Sequence, residues 1–232
     1  MPVAILAGGL ATRLRPLTEQ IPKSLVDVAG EPFLSHQLRR LASNGVHRVI
    51  LLVGHLGEQI QMQYGDGRAF ALSIDYAFDG PSLLGTAGAI RHALPHLPER
   101  FFVMYGDSYL TCDFAAVESA FVAAGRLGLM TVFRNDGRFD TSNIELAENA
   151  IVRYDKSIRT PATRHIDYGL CAFHRSVFEA LPADVPIDLA RVCQDLVQRQ
   201  QLAAFEVHDR FYEIGSPDGL RDTDAFLRQR VP

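Results

Sequence analysis

Short apolar runs alternate with helical patterns through the first half of this chain. Of its sequence features, this alternation limits the possible folds most. The predicted strands are Val3–Ala7, Arg48–Val53, Leu72–Ala77 and Phe101–Tyr105, and residues between them predict helices at 32–43, 58–63 and 85–94. Strands that are separated by helices pair in parallel, because the helix returns the chain to the same edge of the sheet. Near-continuous apolar strands indicate burial on both faces.

The pattern changes after a predicted helix at 114–124. Strands are predicted at 129–133, 142–146, 151–154 and 166–173, followed by a helix at 187–200, strands at 202–207 and 211–214, and a helix at 217–228. No linker or repeat interrupts the chain. We therefore expect an α/β fold with a mixed, mostly parallel sheet flanked by helices. We expect a single domain over 1–232, with halves at about 1–125 and 126–232.

Composition excludes several classes of protein. The net charge of −4 argues against general attraction to nucleic acid. No apolar run reaches the roughly 18 residues of a membrane span, and the first residues lack the pattern of a secretory signal. Three cysteines without a C-x-x-C pair indicate reduced, buried thiols in a cytoplasmic protein.

A glycine-rich loop follows the first predicted strand. Gly8 and Gly9 allow a tight turn and a close approach of a ligand to the backbone. The freed backbone N–H groups favour an anion, and Arg13 and Lys23 add positive charge to the same loop. This combination predicts a polyphosphate site; a plain glycine turn with two solvated cations is the alternative.

The same segment resembles the signature G-G-x-G-T-R-L-x-P-x-T-x-x-x-P-K of the nucleoside triphosphate:sugar-1-phosphate nucleotidylyltransferases. Ala11 stands where that pattern has a third glycine, so the backbone conformation there is a point to test. The resemblance implies a Rossmann-like, glycosyltransferase-A-like nucleotidyltransferase fold, with a nucleotide half followed by a sugar half. The implied nucleotide-binding residues are Leu6, Ala7, Gly8, Gly9, Thr12, Arg13, Lys23, Gly85 and Thr86.

The segment Leu84-Gly85-Thr86-Ala87-Gly88 is similar to the family's L-G-T-A-G, which contacts the base. Gly85 and Gly88 also fit a close approach to a flat ligand. A plain helix start with Thr86 as its cap is the alternative.

Two carboxylates are predicted to bind metal. Asp107 follows Gly106 at the end of a strand, where the family binds Mg²⁺, and this position suits a cation held against phosphate oxygens. Glu213 stands where related enzymes have the second aspartate ligand. Its longer side chain leaves two alternatives open, a water-mediated contact with the metal or a structural strand residue.

The sugar-phosphate site is predicted in the second half. The Tyr154-Asp155-Lys156 segment resembles the family's Glu-Lys-Pro motif, whose lysine binds the sugar phosphate. Asn143, Asp167 and Gly169 are expected to offer fixed polar groups to the sugar. The resemblance thus implies that Arg13, Lys23 and Lys156 are the catalytic cations.

The predicted reaction transfers a nucleotidyl group from an NTP to a sugar 1-phosphate, releasing pyrophosphate, with Mg²⁺ as cofactor. The length and the segment 66–76 resemble the short bacterial mannose-, heptose- and N-acetylmuramate-1-phosphate enzymes, with GTP favoured and UTP next. A non-catalytic regulatory subunit and a cytidylyltransferase for a non-sugar phosphate stay open as alternatives. Expected partners are the two substrates, without nucleic acid or membrane, and a homo-oligomer stays open.

Overall fold

The computed structural model describes residues 1–80, 82–147, 150–183 and 185–230. The last two residues of the predicted domain, 231 and 232, lie outside the described residues. The strands are β1 Val3–Leu6, β2 Asp27–Val28, β3 Glu31–Pro32, β4 Arg48–Val53, β5 Ser73–Phe78, β6 Arg100–Tyr105, β7 Ser108–Tyr109, β8 Gly128–Arg134, β9 Ile144–Ala147, β10 Ala150–Tyr154, β11 His165–His174, β12 Leu202–Val207 and β13 Tyr212–Glu213.

Several helices begin at a capping polar side chain or at a proline. They are α1 Phe33–Ser43, α2 Gly57–Tyr64, α3 Gly85–His92, α4 Phe114–Ala124, α5 Ser176–Glu179, α6 Leu189–Gln198 and α7 Pro217–Arg228. The carboxylate of Asp113 accepts the Ala115 and Ala116 N–H groups at the start of α4. Ser216 accepts the Gly219 N–H at the start of α7, whose first residue is a proline. None of the described helices is long and apolar enough to cross a membrane.

Nine strands form one sheet in the order β5-β4-β1-β6-β11-β8-β12-β10-β9. The strands β5, β4, β1 and β6 pair in parallel, as the helical crossovers predict. In the rest of the sheet, β11 and β10 are antiparallel to the other strands. The predicted fold class is therefore confirmed.

Two hydrophobic cores cover the two faces of the sheet. Successive residues of β1 point to opposite faces, so Ile5 packs with α1, α2 and α4 while Ala4 packs with α3 and α6. Val3, Ala4 and Ile5 are fully buried, which explains the uninterrupted apolar run at the start of the chain. A third, smaller core holds α7 against β2 through Val28, Phe33, Ile214 and Leu227.

The topology brings the carboxyl ends of β1, β4, β5, β6 and β8 to one edge of the sheet. The start of β11 lies at this edge too, because β11 runs antiparallel to β6 and β8. A separate two-stranded ribbon of β7 and β13 joins the end of β6 to the segment before α7. Residues far apart in the sequence therefore meet at this edge, as they do in other open α/β sheets.

Candidate active site

A cavity of about 270 Å³ opens at the carboxyl ends of β1, β4, β5 and β6. Its lining includes predicted nucleotide-binding residues from the first loop and from the start of α3, namely Leu6, Ala7, Gly8, Gly9, Lys23, Gly85 and Thr86. Asp107, predicted to bind metal, also lines the cavity. The structure thus brings the two predicted nucleotide motifs, about 75 residues apart in the chain, around one space.

The two glycines of the first loop serve different purposes. A Cβ on Gly8 would lie 3.0 Å from the Gly54 backbone nitrogen, so Gly8 permits close packing of the loops after β1 and β4. A Cβ on Gly9 would have no neighbour within 4 Å. The backbone at Gly9 is therefore accessible to a ligand in the cavity.

Ala11 adopts the left-handed conformation that the glycine of the family pattern would adopt more easily. Its φ and ψ are 47° and 41°. The Thr18 hydroxyl, which is buried, donates a hydrogen bond of 2.8 Å to the Ala11 carbonyl. Thr18 therefore holds this turn of the loop in place.

Thr12 and Arg13, which follow Ala11, lie on an exposed 3₁₀ turn. Neither residue lines the cavity among the described residues. The Arg13 guanidinium makes no hydrogen bond or ion pair within the described part of the chain. Its contact with phosphate stays a prediction.

Lys23 and Asp107 form an ion pair inside the cavity. The Lys23 Nζ donates to Asp107 Oδ2 at 2.7 Å, and the two side chains are 17% and 30% exposed. Lys23 follows Pro22 on a short 3₁₀ turn, and Asp107 follows β6. Lys23 and Lys156 are the only lysines in the sequence, although it holds 23 lysines and arginines together.

Glu213 reaches the same place through the ribbon of β7 and β13. Glu213 pairs with Ser108, and the Ile214 N–H donates to the Asp107 carbonyl at 2.9 Å. A Cβ on Gly215 would lie 2.6 Å from Glu213 Oε2, 3.1 Å from Asp107 Oδ2 and 3.3 Å from Lys23 Nζ. The two carboxylates and the ammonium therefore converge beside Gly215, which has no side chain to separate them.

The Glu213 carboxylate also accepts hydrogen bonds from the segment that follows it. Oε1 accepts the Ser216 hydroxyl at 2.6 Å, and Oε2 accepts the Gly215 N–H. The carboxylate thus lies at the start of α7, where the helix dipole favours negative charge. This arrangement supports the structural alternative for Glu213 without removing the lone pairs that a cation would use.

The start of α3 packs against the segment before α6. A Cβ on Gly88 would lie 2.8 Å from the Val185 carbonyl oxygen, so the prediction that Gly88 leaves room for a ligand is wrong. A Cβ on Gly85 would similarly lie 2.7 Å from the Ile187 carbonyl oxygen, although Gly85 still lines the cavity. Both glycines let two segments of this chain approach one another closely.

Thr86 does not cap its own helix. Its Oγ1 accepts the Leu189 N–H at 2.7 Å and lies 3.4 Å from Asp188 Oδ1. Thr86 therefore links α3 to the start of α6 while it lines the cavity.

Sequence reasoning missed Asp79, which lines the cavity at the carboxyl end of β5. A Cβ on Gly8 or Gly54 would lie 3.4 or 3.3 Å from Asp79 Oδ2. Burial raises the pKa of the Asp79 carboxyl, while a hydrogen bond from the Leu84 backbone opposes the shift. The rule that pointed to Asp107, a carboxylate directly after a buried strand, would have found Asp79 as well.

Asp167 lies at the centre of a polar network beside the cavity. Its Oδ2 accepts the hydroxyls of Tyr105 at 2.9 Å and Tyr154 at 3.3 Å, and its Oδ1 accepts the Gly169 N–H at 3.0 Å. Tyr105 lines the nucleotide cavity, so this network links the two predicted halves of the site. Burial raises the pKa of Asp167, and the charge of Lys156 is among the effects that oppose the shift.

The other predicted sugar-site residues surround Asp167. Asn143 Oδ1 accepts the Asp167 N–H at 3.1 Å, and the Asn143 carbonyl accepts the Asp155 N–H at 2.9 Å. Gly169 has a φ of 103°, and a Cβ there would lie 3.0 Å from the Ser108 hydroxyl. The structure therefore places Asn143, Asp167 and Gly169 together, next to β7.

The Asp155 side chain is engaged in hydrogen bonds, whereas the Lys156 side chain is exposed. The Asp155 carboxylate accepts the N–H groups of Ser157 and Ile158 at 2.8 and 3.0 Å, which together with the Ser157 hydroxyl lower its pKa to about 2. Asp155 therefore fixes the turn in which Lys156 stands. Lys156 is exposed and makes no hydrogen bond within the described residues, so its ammonium is available to a substrate.

This geometry suits the transfer of charged groups. The cavity offers open backbone at Gly9, one ammonium and two converging carboxylates, and the charge of a second ammonium, that of Lys156, acts on Asp167. Such a site can hold a triphosphate, a hard cation and a second phosphate without a protein nucleophile.

Comparisons with known proteins agree with this geometry. The family model described as nucleotidyl transferase matches residues 3–230. An N-acetylmuramate alpha-1-phosphate uridylyltransferase from Neisseria meningitidis serogroup B is 41% identical over 97% of both chains. A mannose-1-phosphate guanylyltransferase from Mycobacterium tuberculosis is 32% identical over 98% of this chain but only 65% of its own length.

The structure of HddC from Yersinia pseudotuberculosis complexed with GMP-PN has a TM-score of 0.81. The match covers 97% of this chain and 99% of the HddC chain, with 24% sequence identity. It shows that the two chains share a fold. Together, the family match over nearly the whole chain and the full-length relative confirm the resemblance that the first loop predicts. The chain belongs to the nucleotidyl transferase family and is a sugar-1-phosphate nucleotidylyltransferase.

Proposed function

We propose that this enzyme transfers a uridylyl group from UTP to N-acetylmuramate 1-phosphate. The observation that carries this choice is the 41% identity with the Neisseria uridylyltransferase across 97% of both chains. An oxygen of the sugar phosphate attacks the α-phosphorus of UTP in line. The bond from that phosphorus to the bridging oxygen breaks, and the products are the UDP-sugar and pyrophosphate.

The reaction needs no nucleophile from the protein. A phosphate monoester has a second pKa near 6, so the acceptor is mostly a dianion at pH 7. The protein must instead hold two anions together and neutralise their charge. Lys23 would contact the triphosphate and the incoming phosphate, Arg13 would contact the leaving pyrophosphate, and Lys156 would orient the acceptor.

Asp107 and Glu213 fit a divalent cation, which we propose to be Mg²⁺. Their oxygens converge beside Gly215, and carboxylate oxygens are ligands that Mg²⁺ prefers. When bound, the cation supplies positive charge to the phosphate oxygens of the nucleotide. An Asp107→Asn variant should require more Mg²⁺ for half-maximal activity, and full activity in excess EDTA would contradict the assignment.

Guanylyl transfer to mannose 1-phosphate is the second candidate. It is supported by the Mycobacterium relative and by the expectation, from the chain length and the segment 66–76, that GTP is favoured. The two candidates differ in both base and sugar. A matrix of the four common NTPs and dTTP against the 1-phosphates of N-acetylmuramate, N-acetylglucosamine, mannose and glucose, scored by pyrophosphate release, separates them.

We also propose that the chain divides into a nucleotide half, about 1–125, and a sugar half, about 126–232. The two lysines allow this division to be tested directly, since each stands in a different half. In a brief acetylation of the enzyme, UTP should protect Lys23 and sugar 1-phosphate should protect Lys156, as measured by mass spectrometry. Each lysine serves as the control for the other, and protection of both by UTP alone would contradict the division.

We expect the enzyme to act in the cytoplasm on these two small substrates, without nucleic acid or membrane. The three cysteines are free and buried, which suits a reducing compartment. A homo-oligomer stays open and can be measured by light scattering.

A further inference from the structure

A second cavity lies at the same edge of the sheet as the nucleotide cavity. It has a volume of about 560 Å³ and is formed by the loop 135–143, between β8 and β9, and the loop 155–164, between β10 and β11. The end of β8 and the start of β11 share the edge at which β6 ends. The cavity therefore opens on the side where the substrates are expected, on strands beyond Asp167.

The lining of this cavity carries an excess of positive charge. Arg138, Arg159 and Arg164 line it together with two aspartates, Asp136 and Asp140. Asp136 pairs with Arg164 at 2.7 Å, whereas the Asp140 carboxylate accepts only the neutral Thr141 N–H at 2.6 Å and keeps its charge. Arg138 and Arg159 therefore leave one positive charge in excess over the charge of Asp140.

Neither Arg138 nor Arg159 has an acidic partner among the described residues, but their guanidinium groups differ in their hydrogen bonds. Arg138 donates to the carbonyls of Asn135 and Arg134 at 3.1 and 2.9 Å, which are neutral partners. Arg159 makes no hydrogen bond or ion pair within the described residues, and its side chain is exposed. Arg159 is thus the cation in this cavity that is most available to a ligand.

Hydrogen bonds within the first loop, and from the second loop to Glu145 of β9, hold the two loops that form the cavity. The buried Asn135 side chain donates to the Asp140 carbonyl at 2.6 Å and to the Ser142 hydroxyl at 3.1 Å. In the other loop, the hydroxyls of Thr160 and Thr163 donate to Glu145 at 2.7 and 2.9 Å. The cavity is therefore formed before any ligand binds.

Both loops also connect the cavity to the predicted acceptor site. The loop 155–164 begins with the turn that contains Lys156, three residues before Arg159. The Cα atoms of these two residues are therefore at most roughly 10 Å apart. In the other loop, the ring of Phe139 lies 4.1 Å from the Arg210 guanidinium carbon, which also lies 4.7 Å from the ring of Tyr212. Tyr212 directly precedes Glu213, so the cavity adjoins both the acceptor lysine and the strand of the proposed metal site.

We infer that this basic cavity binds an acidic substituent of the acceptor sugar, remote from its 1-phosphate, and that Arg159 contacts it. The inference rests on the proposed function, because N-acetylmuramate carries a carboxylate on its lactyl ether whereas N-acetylglucosamine and mannose do not. Lys156 would hold the phosphate and Arg159 the carboxylate. Arg159 would then determine which sugar the enzyme selects without contacting the reacting atoms.

The test compares N-acetylmuramate 1-phosphate with N-acetylglucosamine 1-phosphate at saturating UTP. The parent enzyme should prefer the first by about 10- to 100-fold in kcat/KM, as expected for a charge-assisted hydrogen bond. Arg159→Ala should abolish this preference by raising KM for N-acetylmuramate 1-phosphate alone, and Arg159→Lys should keep part of it. Higher salt should reduce the parent's preference, since the contact is exposed.

Arg100→Ala is the matched control, because Arg100 is exposed at the opposite end of β6. It should leave the preference unchanged. A preference that persists in both Arg159→Ala and Arg159→Ala/Arg164→Ala would overturn the inference while uridylyl transfer stands. Equal use of the two sugars by the parent would also overturn it, again without affecting uridylyl transfer. If neither sugar reacts with UTP, the proposed function fails and the inference fails with it.

Discussion

Lys23 Nζ lies 2.7 Å from Asp107 Oδ2, and this ion pair connects the loop after β1 to the end of β6. β1 and β6 are neighbouring parallel strands, with Leu6 opposite Tyr105, so the pair spans the two strand ends that border the nucleotide cavity. The pair gives Asp107 a positive partner before phosphates bind. A triphosphate that enters the cavity would compete with Asp107 for the Lys23 ammonium.

We expect Lys23→Ala to reduce kcat by about 10²- to 10³-fold, because the loss of one preorganised charge contact in the transition state costs roughly 3–4 kcal/mol. Pyrophosphate release under saturating substrates measures the effect. Lys23→Arg should fall between alanine and the parent, since a guanidinium keeps the charge but not the geometry of an ammonium. Circular dichroism should show that both variants are folded, and an alanine variant within threefold of the parent would rule out this role.

Lys156→Ala should act mainly on the acceptor. Lys156 lies in the second half of the chain and its charge acts on Asp167, so we expect KM for the sugar 1-phosphate to rise by about 10- to 100-fold. Binding of UTP in the absence of sugar, measured by calorimetry, should change little. An equal loss of UTP affinity would mean that the two lysines serve the same phosphate.

The sequence predicted most of the elements because each carries a clear local signal. The apolar run of β1 requires burial on both faces of the sheet, and the regular spacing of Leu34, Leu38 and Leu41 requires burial of one face of α1. The predicted strand at 211–214 contains β13, but β7 and the pairing of the two strands gave no such signal, since β7 has two residues and the pairing joins distant segments. Yet this ribbon brings Glu213 to Asp107.

The candidate site was predictable where a residue belongs to a recognised motif, as Lys23 and Asp107 do. Contacts that depend on tertiary packing were not. The hydrogen bonds from Tyr105 and Tyr154 to Asp167 join three strands, and nothing in the local sequence of any one strand specifies them. The space beside Gly88 was misjudged for the same reason, because Val185 fills it from a segment nearly a hundred residues away.

Ala11→Gly should stabilise the protein. The left-handed conformation of Ala11 costs about 1–2 kcal/mol for a residue with a Cβ, and glycine adopts it freely but loses more entropy on folding. We expect a net gain of up to about 1 kcal/mol, which for a chain of this size raises Tm by roughly 2–4 °C. Ala120→Gly, in the middle of α4, is the matched control and should lower Tm. A lower Tm for Ala11→Gly would show that the loop does not hold this conformation in solution.

Asp167→Asn should make stability less dependent on pH. Burial raises the folded-state pKa of this carboxyl, so between its ordinary range and the raised value the folded protein keeps a proton that the unfolded chain has lost. The stability of the parent therefore falls as pH rises through that window, and the asparagine variant escapes this loss. The Tm of the variant relative to the parent should be highest near neutral pH and should decline toward pH 4. Asp209→Asn, at an exposed position, should show no such trend.

Variants of Glu213 distinguish between two roles for this residue, a metal ligand and a helix-capping residue. If it binds the cation, Glu213→Gln should weaken Mn²⁺ binding in the presence of UTP by at least about 10-fold, because one negative charge leaves the site. Glu213→Asp keeps the charge and restores the family's usual residue, but its carboxylate is one methylene short of Ser216 and Gly215. We expect the aspartate variant to keep partial activity and the glutamine variant to keep little.

Ser216→Ala is the control for the structural role of Glu213. It removes the hydroxyl that donates to Glu213 and that accepts the Gly219 N–H at the start of α7, so Tm should fall by an amount corresponding to about 1 kcal/mol. Its Mn²⁺ affinity, measured by electron paramagnetic resonance, should stay close to that of the parent. If all Glu213 variants bind Mn²⁺ as the parent does and differ only in Tm, Glu213 is a helix-capping residue. The cation would then be held by Asp107 and the nucleotide phosphates.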